Sequence, residues 1–186
     1  MTYLYVVLMF VAAGAIHRLR GGYLYDIGIR IPGREFLWAA PLLGLLGWAF
    51  TGSWMLGVAY VLSMTIWSVI PHNRWWFAGA SPRGSATTKR GPMAFELFCE
   101  KIVDRLTAGN TNASDFILFS LKHYVSAIPF FYVLGLPAVL AFIPTSMLVA
   151  LIYRLVQKYN PVNHWWVEIL GGAVMWGMPV LLFFAI

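Results

Sequence analysis

The chain has 186 residues, of which 60% are hydrophobic and only 11% are charged. About a quarter of the residues of a soluble domain are charged, so this composition excludes a water-soluble enzyme and predicts a polytopic membrane protein. The net charge is +6, from 13 Lys and Arg against 7 Asp and Glu, and the positions of these residues must show what the excess does. The single cysteine, Cys99, excludes an internal disulfide and a cysteine-based zinc site.

Six stretches of the chain are apolar enough to be membrane-spanning helices, each of which needs about 20 such residues. Two longer uncharged runs break at 51–53 and at 135–137, where glycine favours a turn. The predicted fold is therefore an all-α, polytopic transmembrane helical bundle of about six spans, forming a single membrane domain. The predicted spans are about 2–19, 35–51, 54–71, 115–134, 137–155 and 163–185.

The positions of the basic residues test this arrangement. Every Lys and Arg lies between spans 1 and 2, between spans 3 and 4, early in span 4, or between spans 5 and 6. The positive-inside rule therefore predicts that these connections are cytoplasmic and that both termini are not. A five-span alternative, with 113–127 flat on the membrane and 128–155 as one long helix, would put Arg154 and Lys158 on the otherwise uncharged side.

The basic excess thus serves to set the orientation of the chain, and for this reason we expect no nucleic-acid partner. No sizeable domain is predicted outside the membrane. Such an economical chain suits a bacterial inner (plasma) membrane, to which it would be integral.

The connection between spans 3 and 4, residues 72–114, is predicted to hold a flexible loop followed by an amphipathic helix. The apolar positions of this helix are Phe95, Phe98, Cys99, Ile102 and Leu106, and the acidic positions opposite are Glu96, Glu100 and Asp104. We expect the helix to lie on the cytoplasmic membrane surface and to end at Gly109 and Asn110. The residues that offer caps for span 4 are Asn112, Ser114 and Asp115.

All four histidines lie at or near the cytoplasmic ends of predicted spans, with basic or polar residues beside them. A histidine can shuttle a proton near neutral pH, while arginine and lysine suit the oxygens of a phosphate group. The candidate catalytic residues are therefore His17, His72, His123 and Glu168. The candidate substrate-binding residues are Arg18, Arg20, Arg34, Asn73, Arg74, Lys122, Asn163 and His164.

The same residue types also serve as anchors at the membrane interface, which is the simpler interpretation for most of them. Lys122 and His123 fit it less well, because they lie roughly 10–12 Å along span 4 at a rise of about 1.5 Å per residue. Glu168 lies roughly 6–8 Å along span 6 on the same count. Ionisable groups at such depth face the bundle interior and find partners, so Lys122 or His123 is the expected partner of Glu168. The sequence leaves two interpretations of these three residues open, a polar bridge between helices and a functional site.

Three functions are compatible with these features. The first is binding of, or action on, a phosphate-bearing lipid or amphiphile at the inner leaflet, with anionic membrane lipids or a small anionic amphiphile as partners. The second is a small transporter or channel. The third is a non-catalytic accessory protein that docks on another membrane protein or forms a homo-oligomer. The pattern identifies no cofactor and leaves catalysis open, and no His-x-x-x-His or Glu-x-x-His pair predicts a metal site.

Overall fold

The computed structural model describes residues 2–19, 38–70, 94–159 and 165–186, and all the regular structure in these ranges is helical. The predicted all-α class is therefore confirmed for the described part of the chain. In chain order the helices are α1 (Thr2–Arg18), α2 (Ala39–Thr51), α3 (Trp54–Val69), α4 (Ala94–Leu106), α5 (Thr111–Leu134), α6 (Leu136–Tyr159) and α7 (Trp165–Ala185).

Two stretches of the described helices are long and apolar enough to cross a membrane, Phe116–Leu134 in α5 and Trp166–Ala185 in α7. The other apolar helices are shorter and run over Thr2–Arg18, Ala39–Thr51, Trp54–Val69 and Leu136–Ile152. A helix of 16 residues such as α3 is about 24 Å long, whereas the hydrocarbon core of a bilayer is about 30 Å thick. Length and composition therefore support two candidate spans in the described ranges.

A tight turn separates α2 from α3 at the first predicted break. Gly52 adopts a left-handed conformation with φ 71°, and its N–H donates to the carbonyl of Trp48 at 2.7 Å. The hydroxyl of Ser53 then accepts from the N–H of Leu56 at 3.2 Å and caps the start of α3. The two helices approach closely, because a Cβ at Gly44 would lie 2.9 Å from the carbonyl oxygen of Gly57.

A second break separates α5 from α6 at Gly135, which has φ 71° and ψ −160°. Its N–H donates to the carbonyl of Phe131 at 2.8 Å, and α6 begins at the next residue. A single long helix over 128–155, as the five-span alternative requires, is therefore not what the structure contains. The start of α5 also differs from expectation, because Asn110 caps it by accepting from the N–H of Ala113 at 3.1 Å.

The helices pack so that α1 lies along α7, while α3 lies between α2 and α5, and α6 lies against both α5 and α7. α1 and α7 run antiparallel, since Gly177 faces Phe10, Gly14 faces Ile169 and Ala173, and Gly172 faces His17. The bundle interior is filled mainly by apolar and aromatic side chains. The largest of those that are fully buried are Trp176, Tyr60, Phe130, Phe142, Met9, Leu43 and Leu56.

The distribution of polar and apolar side chains is unusual for a protein surrounded by water. Each of the helices described above exposes large apolar side chains, among them Tyr3, Trp48, Trp54, Phe98, Phe116, Leu140 and Leu170. By contrast, ionisable and hydroxyl side chains are buried, namely Ser63, Ser114, Lys122, His123, Ser126, Ser146 and Glu168. A soluble monomer rarely exposes large contiguous apolar surfaces, so this outer surface suits contact with lipid or with other protein.

Candidate functional site

An ion pair joins the end of α1 to the start of α7. The Nη1 atom of Arg18 lies 2.7 Å from the Oε2 atom of Glu168. The Arg18 side chain is 21% exposed and the Glu168 side chain only 7%. Glu168 lies in the first turn of α7 and Arg18 in the last turn of α1. The positive end of the α7 dipole therefore stabilises the carboxylate, and the negative end of the α1 dipole stabilises the guanidinium.

His17 is held against α7 one turn further along that helix. It is half-buried, and a Cβ at Gly172 would overlap the Cβ of His17. Gly14 makes the same kind of approach, since a Cβ there would lie 2.7 Å from the carbonyl oxygen of Ile169. The missing side chains of these two glycines therefore set how close α1 and α7 come, and with it the position of Arg18.

Lys122 reaches from α5 to the end of α3. Its Nζ atom donates to the carbonyl oxygen of Ile70 at 3.2 Å and lies 4.8 Å from the centre of the Trp67 ring. Ile70 is the residue that follows α3, and the last carbonyls of a helix attract cations. The aromatic face adds a cation–π contact. The ammonium group of a residue that is only 3% exposed is thus surrounded by groups that favour positive charge.

His123, the next residue, is fully buried beside the same tryptophan. Its Nδ1 atom lies 2.7 Å from the carbonyl oxygen of Phe119. Because a carbonyl oxygen only accepts, this contact places a proton on Nδ1. The imidazole packs against Phe119 at 4.2 Å and against Trp67 at 4.8 Å between ring centres.

These groups gather at one end of the bundle. α1 and α3 both end there and α7 begins there, because neighbouring helices run antiparallel. Phe142 of α6 packs on both Phe130 of α5 and Trp176 of α7, and Gly171 of α7 faces Val149 of α6. α3 and α5 run antiparallel, with Ser63 bonded to the Ser126 carbonyl at 2.7 Å and Lys122 to the Ile70 carbonyl. Lys122 is therefore level with the end of α3, although it lies well inside α5. We call Arg18, Lys122, His123 and Glu168 the charged end.

The structure gives Glu168 a partner that the sequence did not single out. An ion pair joins Glu168 to Arg18, and the expected pairing of Glu168 with Lys122 or His123 stays a prediction. Depth counted along a single helix does not show which groups are level, because the first turns of α5 extend beyond the end of α3. Of the candidate residues, Arg20, Arg34, His72, Asn73, Arg74, Asn163 and His164 lie outside the residues that the structure describes.

Sequence reasoning missed three contributors to the charged end. Trp67 carries the contacts to both Lys122 and His123, but it lies in an apolar run and resembles any other interfacial tryptophan. The Ile70 carbonyl is a backbone group and has no signature in the sequence. Gly172 lies in an apolar stretch, and nothing in the sequence shows that His17 packs against it.

The described ranges contain no group of three or more His, Cys, Asp or Glu side chains that would hold a metal ion. What the charged end offers instead is a guanidinium, an ammonium, one imidazole and a carboxylate. These groups suit an anion or a proton transfer. No family model, no curated protein and no solved structure matches this chain.

Proposed function

We propose that this chain is an integral membrane protein of about six spans that binds a phosphate-bearing lipid or amphiphile at the charged end. The proposal concerns binding and assigns no reaction. The positive-inside pattern supports cytoplasmic placement of this end, with both termini on the other side.

The distribution of side chains supports a membrane environment for all six apolar helices. Each of them exposes large apolar residues, while Lys122, His123 and Glu168 are turned into the bundle. Lipid tails satisfy such an outer surface, and ionisable groups inside a membrane bundle face its interior. Helices shorter than the hydrocarbon core are accommodated by local thinning of the bilayer or by flanking residues that reach the interface.

The observation that carries the binding proposal is the ion pair of Glu168 with Arg18, which holds a partly exposed guanidinium at the end of α1. Lys122, within α5, is the second cation of the charged end. Glu168 engages one terminal nitrogen of the Arg18 guanidinium and so restrains the position of this group. At 21% exposure the Arg18 side chain is accessible from outside the bundle. A planar guanidinium held in this way suits the oxygens of a phosphate head group.

A transporter or channel is less well supported, because the half of the bundle away from the charged end is filled by apolar side chains. Those that are essentially buried there include Met9, Leu43, Leu56, Phe130, Phe142 and Val180. A continuous hydrophilic path through these residues would require them to move apart. The exposed apolar surfaces are compatible with an accessory protein that docks on a membrane partner, but no described contact singles out such a partner.

The test uses the full-length protein in detergent and measures its affinity for phosphatidylglycerol, with diacylglycerol as the phosphate-free control. Arg18→Gln should weaken phosphatidylglycerol binding roughly tenfold or more, because a hydrogen bond to a charged group contributes about 1.5–3 kcal/mol. Diacylglycerol binding should not change. Inorganic phosphate as competitor distinguishes recognition of the phosphate alone from recognition of a whole lipid.

The double variant Arg18→Glu with Glu168→Arg is the matched control, since it keeps the net charge and offers the same ion pair in reverse. If Arg18 binds phosphate, the reversed pair should recover the unfolding temperature but not the affinity, because position 168 is the more buried one. The proposal is wrong if Arg18→Gln binds phosphatidylglycerol like the wild type. It is also wrong if the reversed pair restores full affinity, since the pair would then only hold α1 to α7.

A further inference from the structure

The outward side of α4 is a surface that the head-group site does not explain. Three large apolar side chains of this helix are exposed, namely Phe98 at 58%, Ile102 at 41% and Leu106 at 77%. They follow one another at intervals of four residues, so they form one stripe along the helix. Three exposed apolar side chains in line on a helix of 13 residues indicate a surface that contacts something other than water.

Other sides of α4 attach it to the bundle. Val103 is only 6% exposed, and the Asp104 carboxylate accepts a hydrogen bond from the Ser114 hydroxyl of α5 at 2.6 Å. Successive residues of a helix are about 100° apart, so neither Val103 nor Asp104 lies on the stripe. The apolar stripe therefore points away from the contacts that hold α4 to α5. The sequence predicts a single apolar face for this helix, whereas the structure has a buried apolar residue and a separate exposed stripe.

Two basic residues lie along one edge of the stripe. Lys101 and Arg105 are both exposed and are four residues apart, so they share one side of α4. With about 100° per residue, Arg105 projects within about 20° of Phe98, and Lys101 lies just beyond it. A helix with an exposed apolar stripe and adjacent basic side chains is suited to the boundary between the head groups and acyl chains of an anionic bilayer.

We propose that this face of α4, formed by Phe98, Lys101, Ile102, Arg105 and Leu106, docks on an anionic lipid surface. The charge of Lys101 and Arg105 matches anionic head groups, and the three apolar side chains match the acyl boundary below them. The inference rests on the membrane placement in the proposed function but not on the head-group site. Through the Asp104–Ser114 hydrogen bond, docking would fix the start of α5, the helix that carries Lys122 and His123.

The experiment uses the full-length protein in lipid nanodiscs, with Cys99→Ser and a single spin label. The label is attached at Phe98→Cys or at Ile102→Cys on the stripe. In nanodiscs that contain phosphatidylglycerol, each label should be more accessible to oxygen, which concentrates in lipid, than to a water-soluble nickel chelate. Ala108→Cys is the matched control, because Ala108 is exposed in the turn after α4, and its label should be more accessible to the nickel chelate.

The basic residues are tested by Lys101→Gln together with Arg105→Gln, combined with the label at position 102. Each basic residue near an anionic surface contributes about 1 kcal/mol, which is roughly fivefold in a docking equilibrium. The double variant should therefore lower the oxygen accessibility of the label in phosphatidylglycerol nanodiscs and leave it unchanged in pure phosphatidylcholine.

The docking surface is refuted if the labels at 98 and 102 are as accessible to the nickel chelate as the label at 108 in both kinds of nanodisc. Protection of these labels from both oxygen and nickel would also refute it and would assign the face to a protein surface. Either result leaves the head-group site standing if Arg18→Gln still weakens phosphatidylglycerol binding. Conversely, lipid-inserted labels together with unchanged Arg18→Gln binding would refute the head-group site alone.

Discussion

The Glu168 carboxylate is stabilised by two effects that act together. It lies in the first turn of α7, where the positive end of the helix dipole favours an anion, and Arg18 provides a charge-assisted hydrogen bond at 2.7 Å. Its low exposure makes the second effect necessary, since a buried charge without a partner is strongly unfavourable. Arg18 is therefore the partner of Glu168, and it is the more exposed member of the pair.

Gly172 sets the separation of α1 and α7 beside this ion pair. Replacing Gly172 with Ala should lower the free energy of unfolding by about 1–3 kcal/mol, because the new methyl group would overlap the Cβ of His17 and neither backbone can easily give way. Unfolding of the detergent-solubilised protein by increasing SDS, followed by tryptophan fluorescence, measures this change.

Ala15→Val on the exposed side of α1 is the control for added bulk, and its effect should stay within about 0.5 kcal/mol. Equal stability of Gly172→Ala and the wild type would show that α1 and α7 are not in the close contact described above.

Lys122 is a buried cation that contacts a backbone carbonyl and an aromatic ring. The carbonyl of Ile70 and the face of Trp67 both offer negative partial charge, and both belong to the end of α3. The sequence correctly singles out Lys122 as a residue whose depth an anchor role does not explain. It does not show the contacts of Lys122 with the Ile70 carbonyl and the Trp67 ring, because backbone carbonyls at a helix end are not visible in the residue pattern.

At the scale of the elements, the connection from α4 to α5 differs from the expected capping. The sequence offers Asn112, Ser114 and Asp115 as caps, but Asn110 caps α5. Ser114 instead donates to Asp104 of α4 at 2.6 Å. A side chain in the first turn of a helix bonds either to its own backbone or to a neighbouring element, and the position of α4 decides between the two.

Gly135 determines that α5 and α6 are two helices. Gly135→Ala should destabilise the protein by about 1–3 kcal/mol, because φ 71° with ψ −160° is a conformation that residues with a Cβ avoid. Thermal unfolding of the purified protein measures the loss. Leu136→Ala, at an exposed position in the same turn, should change the stability far less. If the two substitutions cost the same, the turn geometry at Gly135 is not as described.

At the scale of the whole molecule, exposed apolar side chains surround a core that holds ionisable groups. Exposed residues such as Tyr3, Trp54 and Tyr132 are 87%, 67% and 77% accessible, while Lys122 and Glu168 are nearly buried. In water this arrangement would favour aggregation, whereas in a bilayer it places each class of side chain in the environment that it prefers. The membrane placement that we propose accounts for both halves of the pattern.

Labelling of Cys99, the single cysteine of the chain, tests the proposed orientation of the protein in the membrane. In intact bacterial cells, a membrane-impermeant maleimide should leave Cys99 unlabelled, because the connection that contains α4 is proposed to be cytoplasmic. Labelling should appear once the membrane is permeabilised. Ile186→Cys in a Cys99→Ser background is the matched control, since Ile186 is exposed next to the end of α7, and it should be labelled in intact cells. The reverse pattern would invert the proposed topology.

The sequence by itself determined the helical class, the breaks at Gly52 and Gly135 and the presence of ionisable groups inside the bundle. These properties depend on local composition, on glycine conformation and on the cost of burying charge, all of which are readable from neighbouring residues. Only the tertiary structure decided which groups meet. Arg18 and Glu168 are 150 residues apart, and Lys122 bonds to a carbonyl 52 residues away. Such contacts depend on how the helices pack, and packing follows from shape complementarity over whole helix faces, such as the approach of His17 to Gly172.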